Sequence, residues 1–110
     1  LSGPIAYFGE SGMKGVEFAT EEINARGGIL GAKIELHVED YGIDFKAAAA
    51  AAEKLITQDK VQVVIGGFAS GAGMLIEDVT EKYHVPYVTI GCSADTITAR
   101  GYKWVLRTAP

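Results

Sequence analysis

The stretch that most constrains this chain is Val63-Val64-Ile65-Gly66-Gly67-Phe68-Ala69-Ser70-Gly71-Ala72-Gly73. A run of β-branched residues stops at two glycines, and a helical pattern begins a few residues later. The near-continuous apolar run Val61 to Ile65 predicts a parallel strand covered on both faces. The helix that follows is expected from Gly71 to Tyr83, with Leu75, Val79 and Tyr83 four residues apart. A serine at its start, with Gly71, Ala72 and Gly73 behind it, places a hydroxyl and unpaired amides at the C-terminal end of a buried strand. Open α/β sheets bind ligands at that end, and such a cradle suits a carboxylate or phosphate. The same spacing fits a serine that only caps its own helix.

The rest of the chain supplies neighbours for this unit. Leu1 to Gly9 reads as a loop from its Gly-Pro step and closing glycine. A helix is predicted from Glu10 or Ser11 to about Arg26, stopped by Gly27-Gly28. Lys33 to Asp40 alternates, Ile34, Leu36 and Val38 against Glu35, His37 and Glu39, as in a strand with one wet face. Asp44 is positioned to cap a helix from Phe45 to about Gln58, and Ala47 to Ala52 favour that helix and its close packing on a sheet. Pro86 opens a buried strand, Tyr87 to Ile90, and Gly91-Cys92-Ser93-Ala94-Asp95 repeats the glycine-then-hydroxyl pattern before a short helical turn. Trp104 to Thr108 is a last strand. Alternating strands and helices predict an α/β fold with a mainly parallel open sheet.

Composition narrows the functional classes. A length of 110 residues allows one small domain. A net charge of -4 without a basic stripe argues against nucleic acid. No apolar run approaches the roughly 20 residues of a membrane span, so membrane insertion is not expected. The single cysteine, Cys92, permits no disulfide framework or cysteine metal knuckle. His37 and His84 have no second ligand at helical spacing, so no metal is expected. No cofactor is expected either: Gly71-Ala72-Gly73 reaches Ile76 where a dinucleotide fingerprint has its third glycine, and a P-loop is absent. GxSxG is absent, neither Ser70 nor Ser93 has a recognisable base, and Cys92 has no evident activating partner. The chain reads as a binding domain rather than an enzyme.

Four segments together resemble a known family. Leu1 to Gly9, Glu21 to Gly31 (Glu-Glu-Ile-Asn-Ala-Arg-Gly-Gly-Ile-Leu-Gly), Ala52 to Ile56 (Ala-Glu-Lys-Leu-Ile) and Thr98 to Pro110 are similar, in order and over the whole length, to the branched-chain amino acid binding proteins of ABC importers. The resemblance implies the type I periplasmic binding protein fold, a three-layer α/β lobe with a mainly parallel open sheet. It implies that residues 1–110 form one partial domain, the N-terminal ligand-binding lobe, without the usual first strand and second lobe. Strands at Ile34 and Val63 would then have unpaired edges that favour self-association.

The same resemblance assigns site residues. Ser70 matches the hydroxyl that holds the ligand carboxylate, and Phe68 a backbone contact beside it, with the Gly71 and Ala72 amides at the helix start. Gly91 matches a carbonyl that accepts from the ammonium, Ser93 a second hydroxyl contact, and Phe8 an aromatic wall. The implied function is solute binding for an importer of branched-chain or other aliphatic amino acids, with an ABC permease as partner. The implied location is periplasmic or extracellular, compatible with a lipid anchor. A cytosolic or receptor-type amide sensor of the same fold and a doubly wound enzyme domain are the competing readings.

Overall fold

The computed structural model describes residues 1–110 and contains, in order, α1 (Ala6–Ala25), α2 (Phe45–Thr57), β1 (Val64–Gly66), α3 (Ser70–Tyr83), β2 (Tyr87–Thr89), α4 (Thr96–Ala99) and β3 (Val105–Arg107). The strands form one parallel sheet in the order β1-β2-β3, with Val64 opposite Tyr87 and Tyr87 opposite Val105. Parallel neighbours joined through helices are what the alternating sequence predicts.

The helices form for local reasons. The Asp44 carboxylate accepts from the Lys46 amide at 2.9 Å, so α2 has the expected cap. Ala48, Ala52 and Ile56 recur at four-residue intervals and are buried. Their small side chains bring α2 against α3, where Ala72 and Ile76 complete a core with Val64 and Tyr87. Helix α1 ends in paired bonds, Gly28 amide to Ile23 carbonyl and Gly27 amide to Asn24 carbonyl, with both glycines at positive φ. This is a Schellman stop.

Three expectations are corrected. The segment Leu1 to Gly9 is not all loop, because α1 begins at Ala6 and includes Phe8. Pro4 has no amide to lose and opens the turn that leads into the helix, with the Ala6 amide on the Gly3 carbonyl. Lys33 to Asp40 is not a strand: no ladder partner lies beside it, and its start is held by Asn24, whose amide side chain bonds both the Ile34 amide and the Ile34 carbonyl. Finally, β1 is covered on one face only. Val64 is 6% exposed, whereas Ile65 is 51% exposed on the opposite face, in register with Val88 and Leu106.

That second face looks toward α1 across an apolar trough of about 390 Å³, lined by Gly12, Val16 and Ile23 of α1 together with Ile34, Ile65 and Ile90. Gly12 lets α1 approach Ile90, since a Cβ there would meet the Ile90 Cδ1 at 2.6 Å. The three layers are therefore α1, the sheet, and the α2–α3 pair, with the first standing off from the sheet. No helix is long and apolar enough to cross a membrane.

Candidate functional site

The C-terminal edge of the sheet carries two loops, 67–69 after β1 and 90–95 after β2. They are tied by continuations of the ladder: the Ile90 amide donates to the Gly66 carbonyl at 3.3 Å and the Gly91 amide to the Gly67 carbonyl at 3.1 Å. Gly67 is required twice over. Its φ is +79°, and a Cβ would collide with the Tyr87 hydroxyl. Tyr87 is fully buried beneath it and donates to the Gly66 carbonyl at 3.2 Å; burial pushes its phenol far up.

Cys92 fills the joint between the loops. Its amide donates to the Thr89 hydroxyl at 3.1 Å, its thiol lies 3.6 Å from the Ala69 carbonyl, and the residue is fully buried. A Cβ on Gly73 would come within 2.5 Å of the Cys92 Sγ, so the glycine in α3 is what admits the sulfur. Cys92 packs here as a small apolar residue.

The sequence-selected residues gather along this joint. Ser70 is the first residue of α3, and Ala69 is the cap, with no side-chain cap bond. Ser70 therefore does not cap its own helix. Its Oγ instead accepts from the Ala94 amide at 3.2 Å, joining α3 to the loop after β2. The first α3 amide to find an intrachain acceptor at the helix start is that of Gly73, on the Ala69 carbonyl, so those of Gly71 and Ala72 are unengaged. The side chain of Ala72 belongs to the core, at 0% exposure, and only its amide belongs to this edge. Gly71 admits the Phe45 ring of α2, which a Cβ would meet at 2.6 Å.

Gly91 sits over Phe68, whose ring atoms a Cβ would meet at 2.9 Å. Phe68 in turn stacks on Phe8 with centroids 4.9 Å apart and planes at 28°. The Gly91 carbonyl receives no donor from the chain, and the exposed Ser93 hydroxyl makes no hydrogen bond. Thus Phe8, Phe68, Ser70, Gly71, Gly91 and Ser93 are connected in one surface. Tyr41 borders it, half-buried; burial pushes its phenol up, opposed by the Phe68 amide.

Two arginines escaped the sequence reading. Arg107, at the end of β3, donates through Nη1 to the carbonyls of Ser93 and Ala94 at 3.1 and 3.0 Å. Arg100, just after α4, donates through Nη1 to the Glu77 Oε1 at 2.6 Å and through Nη2 to Asp78. Glu77 is fully buried with its Oε2 unpartnered, and burial pushes its carboxyl up against the opposing effect of Arg100. Both arginines lie far along the chain from their partners, so only their presence in a terminal strand and turn was visible in sequence.

The edge offers the Ser70 hydroxyl with the Gly71 and Ala72 amides, the free Gly91 carbonyl and Ser93 hydroxyl, and the stacked Phe8 and Phe68 rings beside Gly91. Comparison with known proteins gives the setting. A family model described as periplasmic binding protein matches residues 1–110. The chain belongs to the periplasmic binding protein family.

Within that family it is 41% identical over all 110 residues to the Leu/Ile/Val-binding protein homolog 7 of Brucella abortus, and spans 27% of that protein's length. Among solved structures it is similar to the branched-chain amino acid transporter substrate binding protein LivJ of Streptococcus pneumoniae, in complex with isoleucine. The TM-score is 0.92 at 34% identity, covering 96% of this chain and 30% of that one. The leucine binding protein LivK of Thermotoga maritima gives a TM-score of 0.88 at 33% identity, covering 96% and 29%. The fold is that of the type I periplasmic binding proteins, and the match covers a little over a quarter of the relatives' length.

Proposed function

We propose that residues 1–110 form part of the first lobe of a non-catalytic solute-binding protein that takes an aliphatic amino acid into an interlobe cleft for an ABC importer. The observation that carries this reading is the Ser70 hydroxyl. With its oxygen accepting from the Ala94 amide, its proton is free to donate, and the unengaged amides of Gly71 and Ala72 lie next to it. A carboxylate fits such a group of donors. The unclaimed Gly91 carbonyl and Ser93 hydroxyl suit an ammonium, and the Phe8–Phe68 stack suits an apolar side chain.

The names of the relatives, which concern leucine, isoleucine and valine, favour a branched side chain and transport over an amide sensor. On this reading the protein works in the periplasm or outside the cell, with a membrane permease as partner and a second lobe closing over the ligand. No residue is given a catalytic role. Calorimetry on the two-lobed protein with leucine, isoleucine, valine, alanine, polar amino acids and short amides tests it. Tightest binding of a branched aliphatic amino acid is expected; preference for an amide or a ligand without an ammonium would replace this proposal with the sensor reading.

A further inference from the structure

Arg107 is the last residue of β3 and lies opposite Thr89 in the ladder, so it flanks the strand that delivers the 90–95 loop. Its strand end is locked there: the Thr108 amide and hydroxyl both donate to the Thr89 carbonyl, at 3.2 and 3.0 Å. From that anchored position one guanidinium nitrogen uses both hydrogens on consecutive carbonyls, those of Ser93 and Ala94. The side chain is 17% exposed. Its only acidic neighbour there, Asp95 at 3.6 Å, is 98% exposed and therefore screened.

The peptide that joins Ser93 to Ala94 is gripped from both sides. In a planar trans peptide the carbonyl and the amide hydrogen point in opposite directions. The Ser93 carbonyl points to Arg107, and the Ala94 amide of the same peptide points to the Ser70 Oγ. The chain of contacts runs from guanidinium to carbonyl, through one amide, to the Ser70 hydroxyl. A cation on the carbonyl polarises the amide and strengthens the bond it donates, because hydrogen bonds in series reinforce one another. That bond directs the Ser70 lone pair inward and leaves its proton as the outward donor.

We infer that Arg107 is a positioning residue of the ligand site, holding and polarising the Ser93–Ala94 peptide that orients the Ser70 hydroxyl. This rests on the amino acid binding reading above, and it adds to it a charged group that never touches the ligand.

The test is R107A, R107K, D95A, S70A and the R107A/S70A double variant in the two-lobed protein, with leucine affinity by calorimetry and Ala94 amide exchange by NMR without ligand. R107A is expected to weaken leucine binding about tenfold, and no more than S70A does, because Arg107 makes no bond to the ligand and acts only through the Ser70 hydrogen bond to its carboxylate. R107K, keeping the cation but not the fork, recovers part of that loss, and D95A binds as the parent does. Ala94 exchange accelerates in R107A while core amides such as that of Ile76 keep their rates. In the S70A background, removing Arg107 costs less than threefold. Unchanged affinity in R107A, unchanged Ala94 exchange, a uniform rise in exchange across the core, or independent multiplication of the two losses would overturn the inference. If the parent protein binds none of the amino acids, the functional reading fails by itself, and Ala94 exchange in R107A and R107K still decides what Arg107 holds.

Discussion

Replacing Gly73 by alanine sets two effects against each other, and the structure says which wins. In an exposed helix the change gains roughly 0.5–1 kcal/mol, because alanine loses less backbone entropy. At Gly73 the new methyl would lie 2.5 Å from the Cys92 Sγ, 3.3 Å from the Ile97 Cδ1 and 3.4 Å from the Cys92 Cβ. Cys92 and Ile97 are both at 0% exposure, so neither has solvent to move into. Overpacking of that kind costs about 1–3 kcal/mol. The net expectation is a loss of up to about 2.5 kcal/mol, read as a lower urea midpoint at unchanged slope. The informative comparison is with C92A. Alone it leaves a gap where the sulfur was; with G73A, the new methyl occupies part of that space. The double variant is expected to be more stable than the sum of the singles by about 1 kcal/mol or more, a coupling typical of residues in contact. Additive losses, or a stabilising G73A, would refute the claim that Gly73 exists to admit Cys92.

Two further outcomes follow from the same contacts. Glu77 has its folded-state pKa raised by burial above the ordinary 4.5, so the folded protein holds this proton more tightly than the unfolded chain. Its contribution is fully present below the unfolded value and is lost as pH rises through the folded one; the stability of the parent relative to E77Q should therefore increase as pH is lowered from neutrality toward 4.5, measured by urea unfolding across that range. The 110-residue chain by itself, with Ile65 at 51% and Leu106 at 63% exposure on an uncovered sheet face and a free β1 edge, should sediment as more than a monomer at tens of micromolar, and I65K should shift it toward the monomer. Equal sedimentation of the two would remove that face from the contact.

The legible parts of the fold were those set by local chemistry. Asp44 before an alanine run and the Gly27-Gly28 stop match the structure, and the apolar runs before Gly66 and Gly91 do hold parallel strands, because caps, left-handed glycines and β-branched runs leave signatures within a few residues. What failed depended on partners. Lys33 to Asp40 has the alternation of a strand, yet a ladder needs a neighbour, and none lies beside it among residues 1–110. The run at Val64 and Ile65 predicted cover on both faces, while α1 stands away from the second. Pro4 was read as loop punctuation, although proline also opens helices.

The site was partly legible for the same reason. Glycine followed by serine at two strand ends marks this edge as the candidate, and the structure joins both loops there. The bond from Ala94 to Ser70 spans 24 residues, and the grip of Arg107 on Ser93 spans 14; neither has a periodic signature. Serine at the start of a helix was assigned a capping position by default, and the fold used Ala69 instead. That one-residue shift turned the hydroxyl away from its own helix and toward the facing loop.

The central claim is that the Ser70 hydroxyl donates to the carboxylate of an amino acid. Its most direct test is the affinity of S70A in the two-lobed protein for the tightest-binding amino acid and for that acid's carboxamide. A lost charge-assisted hydrogen bond should cost about 1.5–3 kcal/mol with the acid and distinctly less with the amide, which carries no charge at that end. Equal losses with both ligands, or an S70A protein that binds the acid as the parent does, would contradict the account.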